Sequence, residues 1–285
     1  MKQNLIVTVL VENTVRRQEL WGEHGLAFWV DTGEHRVLFD TGQGLALAIN
    51  ASRLQIDLSQ ADAIVLSHGH YDHTGGLRYA FDHADQSRLF LHPHALIPRY
   101  SASDNPAREI GLTSITEREL RQQQHRLVWT TGPVEVAPGV FATGEIPRRT
   151  TYEDTGGNFF LDAGCSQPDP ILDDQALYIP TDEGVVVILG CAHAGAVNTL
   201  NYIRELTNQS VHAVVGGTHL VNASLARIAQ TIVAIRDMNI RIFAPAHCTG
   251  PKAMAMLWTA FPNQISDGAV GMKWTFTRNS GRTFS

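Results

Sequence analysis

Cysteine is scarce in this chain: Cys165, Cys191 and Cys248 are all it has among 285 residues. Three thiols cannot build a disulfide framework, so a reducing, cytoplasmic compartment is expected. Charge is sparse as well. Asp, Glu, Lys and Arg make up 18 % of the residues, with 22 basic against 28 acidic side chains and a formal net charge of -6. That mild acidity gives no general attraction to DNA or RNA, and no basic run interleaved with aromatics suggests a nucleic-acid platform. No apolar run approaches the ~18 residues of a membrane span. The opening MKQNLIVTVLVEN sets a Lys before an apolar run, but Glu12 closes the run and no clean cleavage site follows. It reads as a first strand. A GxxxxGKS phosphate loop is also lacking, since GTHLVNAS at 217–224 does not match it.

What is present suits a compact fold. The apolar fraction is 44 %, and the length allows a substantial core. Short β-branched or apolar runs at 5–11, 26–30, 36–40, 63–67 and 88–92 predict strands in the first half. Helices are expected over 44–55 and 75–84. Residues 100–124 are polar and predict a surface excursion with a short helix capped at Thr116. Strands return over 125–144, with turns at Gly132-Pro133 and Pro138-Gly139. The second half sets NFFLD, QALYI and VVVILG before a helix near 195–208, VHAVVGG before one near 223–238, and IRIFAPA before PKAMAMLWTAF. A final strand is expected at 269–277. There is no linker and no close repeat. One domain over 1–285 is expected, of the α+β class: an αββα sandwich of two mixed β-sheets with outer helices.

Thirteen histidines are the unusual component. Three of them fall in AIVLSHGHYDHTGGL, where a buried strand ends at Ser67 and His68, His70, Asp72 and His73 follow. Imidazole and carboxylate suit zinc or iron. His68 and His70 can approach one metal while Asp72 and His73 approach a second. Two ions would clamp an attacking water and a leaving group. Gly69 relieves crowding, and Gly75 with Gly76 allows a sharp turn before the helix. His193 follows the apolar strand VVVILG just as His68 follows its own strand. It reads as a further ligand or as a helix-capping histidine.

The segment HGHYDH resembles the His-x-His-x-Asp-His signature of the metallo-β-lactamase superfamily, and FDTG at 39–42 resembles its early aspartate motif. LVENT, GEHGLAFWV, TGEIPRRT, DDQAL, LGCAHAGAVNTL, GGTHL and PAHCTG extend the likeness over nearly the whole chain. They are similar to a subgroup labelled metal-dependent hydrolase or 7,8-dihydropterin-6-yl-methyl-4-(β-D-ribofuranosyl)aminobenzene-5'-phosphate synthase. The resemblance implies a metallo-β-lactamase fold and one or two zinc ions, with iron, manganese or nickel as alternatives. It implies that Asp40 supports the site without ligating, and that His247 is the last ligand. Two departures stand out. The superfamily's third histidine is missing from ATGEIPRRT, and its bridging aspartate is replaced by Cys191. His193 then reaches in from the neighbouring loop to replace a ligand. Cys191 is either a thiolate ligand or a small buried apolar residue.

Other residues complete the candidate site. His24 and His219 are placed beside the pocket or in loop packing. Glu145, Arg148 and Arg149 are candidates for holding a phosphate or carboxylate, as are the backbone amides around Thr249 and Gly250. Asp174 is either a supporting carboxylate or an unusual ligand. Asp72 and His193 are the candidate proton-handling groups. The expected activity is hydrolysis of a small anionic, phosphoester-type substrate. The alternatives are synthase-like chemistry and a binding protein without turnover. No nucleic-acid or membrane partner is expected, and the chain is expected to be a monomer or homodimer.

Overall fold

The computed structural model describes residues 2–103 and 106–279. The first half runs β1 (Lys2–Val11), β2 (Ala27–Asp31), β3 (Arg36–Phe39), α1 (Leu47–Arg53), β4 (Ala63–Val65), α2 (Tyr71–Thr74), α3 (Leu77–His83) and β5 (Arg88–Leu91). The polar excursion holds β6 (Tyr100–Ser101), β7 (Arg108–Glu109) and α4 (Glu117–Gln122). Residues 104 and 105 of that excursion lie outside the described residues. Next come β8 (Leu127–Trp129), β9 (Val134–Ala137), β10 (Val140–Ala142) and β11 (Phe159–Phe160). The rest is β12 (Ala176–Thr181), β13 (Gly184–Leu189), α5 (Ala196–Thr207), β14 (Val211–Gly217), α6 (Leu225–Asp237), β15 (Ile242–Ala246), α7 (Pro251–Ala260) and β16 (Lys273–Asn279).

Seven strands pair in the order β16-β1-β2-β3-β4-β5-β8, and six in the order β15-β14-β13-β12-β10-β9. Both sheets are mixed: β1, β2 and β3 pair antiparallel, β3, β4 and β5 parallel, and β13, β14 and β15 parallel. Strand alternation sends Val7, Phe28, Phe39 and Val65 of the first sheet and Ile179, Val186, Ile188 and Val215 of the second into one shared core. The opposite faces bury Leu38, Ile64 and Leu89 against Leu47, Leu77 and Leu120, and Val187, Val214 and Phe243 against Leu200, Ile228 and Leu257. Four layers result, helix, sheet, sheet, helix, as the sequence pattern predicts.

Several elements depart from expectation. Helix α1 is shorter than 44–55, because Glu23 accepts from the backbone N–H groups of residues 43–46 and holds that stretch as a loop. Asp72 and His73 lie on the one-turn helix α2, with His70 as its N-cap, ahead of the Gly75-Gly76 turn. In the excursion, Thr116 and Glu119 form a reciprocal capping box on α4, as expected. However, β6 pairs with β7 and β11 in a small third sheet. That sheet brings Arg108 and Phe159 to the rim of the histidine cluster.

Candidate metal centre

The cluster forms where strands of both large sheets end. β4 delivers Ser67, His68 and His70, and α2 supplies Asp72 and His73. β13 leads to Cys191 and His193, and β15 to His247. His68, His73 and His193 are fully buried, and His70, Asp72 and His247 nearly so. His68 Nε2 lies 2.9 Å from His70 Nδ1, and His193 joins these two in a group of donor atoms within 4.8 Å of one another. His73 Nε2 lies 3.2 Å from His247 Nε2, and Asp72 Oδ2 lies 3.3 Å from His247 Nε2. Donors in a tetrahedral site with bonds of about 2.0–2.1 Å are separated by about 3.4 Å, so these spacings match the edges of such a site.

In His73, His68, His193 and His247 the inward nitrogen is aimed by the opposite one. His73 Nδ1 meets Asp40 Oδ2 at 2.7 Å, and His68 Nδ1 meets Ser67 Oγ at 2.8 Å. His193 Nδ1 donates to the Thr155 carbonyl at 2.7 Å, and His247 Nδ1 donates to Asn13 Oδ1 at 2.9 Å. These partners fix tautomer and ring orientation as outer groups around a metal do. Asp40 and His247 carry φ of 59° and 52°, an unfavourable backbone for non-glycine residues that the surrounding bonds hold.

Burial holds His68 and His193 well below the ordinary histidine range, helped by neighbouring imidazoles. Burial does the same for His70, helped by the charge of Arg99. These rings are therefore neutral at pH 7, with lone pairs free to ligate. Burial also works against Asp72 as a carboxylate, but His73, His24 and His247 outweigh it and hold the group ionised. His193 Nε2 is buried with no hydrogen-bond partner. An unpartnered buried imidazole nitrogen beside two others is costly unless a cation takes its lone pair. The residues present therefore fit one or two metal ions.

A second layer supports the loop between His68 and His70. Gly69 N–H donates to Asp173 Oδ2 at 2.7 Å, and Asp173 is held by the fully buried Arg99, which also faces Asp169. A Cβ on Gly69 would lie 2.4 Å from the Ala95 carbonyl oxygen, so only glycine fits there.

The structure revises part of the expected site. His24 and His219 do line the cavity of about 320 Å³ over the cluster, and His24 Nε2 lies 3.1 Å from Asp72 Oδ2. Arg148, Arg149 and Glu145 do not line it. Arg148 caps the carbonyls of His193 and Ile171, at 3.1 Å each, and that of Pro170. Arg149 pairs at the surface with Glu205, and Glu145 is exposed. Their loop passes outside the sheet end, where free carbonyls and α5 claim the guanidinium groups. Asp174 belongs to no donor cluster among the described residues. Its Oδ2 accepts from Ala194 N–H at 2.7 Å and so positions the His193 loop. Burial pushes its carboxyl up to about 7. Sequence reasoning missed Asn13, Ser67, Arg99, Arg108, Phe159 and Cys248. Asn13 and Cys248 stood inside LVENT and PAHCTG, whereas Arg108 and Phe159 carried no local signal.

Comparison with known proteins agrees with this geometry. The family description "Metallo-beta-lactamase superfamily" matches residues 20–194. A Methanocaldococcus jannaschii protein named 7,8-dihydropterin-6-methyl-4-(beta-D-ribofuranosyl)-aminobenzene-5'-phosphate synthase is 30% identical over 252 residues, covering 85% of this chain and 86% of its own. A solved metal-dependent hydrolase of the β-lactamase superfamily is 30% identical with a TM-score of 0.79, covering 95% of this chain and 98% of its own. A diphosphatase from the PhnP family shares the fold at 14% identity and a TM-score of 0.53, covering 98% of this chain and 99% of its own. The chain belongs to the metallo-β-lactamase superfamily.

Proposed function

We propose that this protein is a metal-dependent hydrolase of a small anionic substrate, most simply a phosphoester. The observation that carries the reading is the convergence of His68 Nε2, His70 Nδ1 and His193 Nε2, beside Asp72, His73 and His247. Metal ions of the zinc class, when bound, supply an acidic water and a polarised scissile bond. The first three imidazoles would hold one ion, and Asp72 and His247, which share a donor group with His24, would hold a second beside His73. His193 has Nδ1 committed to Thr155, so it serves as a ligand and not as a proton shuttle. Asp72 Oδ2, 3.1 Å from His24 Nε2 and 3.3 Å from His247 Nε2, is placed to orient an attacking water by accepting a hydrogen bond from it.

An anionic substrate is supported by Arg108, which stands over the Tyr71 ring at 5.0 Å, and by the Gly250 backbone N–H at the start of α7. Phe159 packs edge-on to His193 at 5.3 Å and gives the cavity an apolar wall. The test is hydrolysis of a phosphomonoester and phosphodiester panel by the metal-loaded protein in ¹⁸O-water. Label in the product, lost on chelation, is expected. Full activity after metal stripping would contradict the reading.

A second reading follows from the synthase name of the 30% identical relative. The same donors would then orient a phosphate-bearing substrate for bond formation. A new carbon–carbon or carbon–nitrogen bond without label in the product would favour it.

A further inference from the structure

A third donor group lies beside the histidines. Cys191, His219 and Cys248 place one donor atom each within 4.8 Å of the others. We propose that these three residues form a thiolate–imidazole site for a soft divalent cation of the zinc class, distinct from the His68–His70–His193 group.

The topology brings them together. β13, β14 and β15 are adjacent parallel strands, and the three residues follow their C-terminal ends in order. Parallel neighbours put equivalent positions side by side, so donors from three separate stretches of chain meet at one edge. Gly217 makes the approach possible: a Cβ there would lie 2.6 Å from Cys248 Sγ and 3.2 Å from Cys191 Cα. His219 is 8% exposed, its Nδ1 is buried without a hydrogen-bond partner, and its φ is 46°. The Cys248 thiol lies 3.6 Å from the Cys191 carbonyl.

The donor chemistry selects the ligand. Two thiolates and one imidazole with a fourth position open is a zinc-type set, and soft sulfur disfavours magnesium or calcium. Two thiolates neutralise one dication, so filling this site adds no net charge beside a filled histidine group. All three residues line the cavity, which leaves the fourth position facing a substrate. Cys191 Sγ is also 3.1 Å from His73 Nε2, so this thiolate links the site to the main cluster.

The experiment titrates chelator-stripped full-length protein with cobalt(II), following thiolate-to-cobalt charge-transfer absorption and bound metal by elemental analysis. Wild type is expected to show the thiolate band. C248S and C248A are expected to lose most of it and about one metal equivalent, with circular dichroism unchanged. H68A is expected to keep the band while losing metal from the histidine group, which separates this proposal from the hydrolase reading. H219N, close in shape to the original residue, is expected to shift cobalt affinity in the thiolate band at least tenfold. A wild type without the band, or folded C248S and C248A proteins with unchanged band and stoichiometry, would overturn the proposal.

Discussion

A buried imidazole facing two others has no good partner but a cation, and His193 is in that position. His193→Ala removes the third imidazole of the proposed ligand set. Loss of a supporting outer residue typically costs ~10–100-fold in metal affinity, so loss of this ligand should cost at least that, read as metal content after dialysis. Its fold should survive, since the core strands β13 and β15 do not depend on the ring. Titration gives a second outcome. His68, His70 and His193 have folded-state affinities for protons below those of the unfolded chain. Their stabilising contribution is present above pH ~6.5 and is lost as pH falls. Asp174, raised to about 7, works the other way, because its proton favours the folded state as pH drops from 7 towards 4. Metal-free protein should therefore lose stability as pH falls below about 6.5, with Asp174 offsetting part of the loss. Denaturant midpoints across that range check it, and a flat profile would contradict the neutral-imidazole assignment.

Elements, not single residues, decide which predicted groups meet. The His68–His73 run was legible because a strand end, glycines and ligand spacing occur in one short segment. His193 and His247 were legible because each ends an apolar strand. Arg148 and Arg149 looked suited to an anion, but sequence does not say that their loop runs along exposed carbonyls beside α5. Strands β6, β7 and β11 have two residues each, too short for any periodicity, so the roof that supplies Arg108 and Phe159 was invisible. Arg99 shows how distant elements support the cluster: it ties the stretch before β6 to Asp169 and Asp173, and Asp173 holds Gly69. Arg99→Ala leaves two buried carboxylates without their cation, which should destabilise by ~3–5 kcal/mol. Metal affinity should fall with it. A urea midpoint unchanged from wild type would show that the ion pairs are dispensable.

At the scale of the molecule, the two sheets share a core of strand side chains that contains none of the candidate ligands. Alternating apolar runs made the four layers legible, whereas the pairing order of the strands was not, because order depends on crossovers that leave no local mark. The candidate ligands sit at the sheet ends, outside that core. Chelation should therefore lower the melting temperature without unfolding the protein at 25 °C. Ligand present at 100–1,000 times its Kd contributes about 3–4 kcal/mol, which for a chain of this size is a loss of roughly 6–15 °C. Collapse of the circular dichroism spectrum on chelation would contradict this.

The most direct test of the central claim is anomalous diffraction at the metal absorption edge from crystals of the metal-loaded protein. The account predicts an ion bonded at about 2.0–2.1 Å to His68 Nε2, His70 Nδ1 and His193 Nε2. An ion held by His68 and His70 with the His193 ring turned away, and its place taken by another side chain, would contradict it.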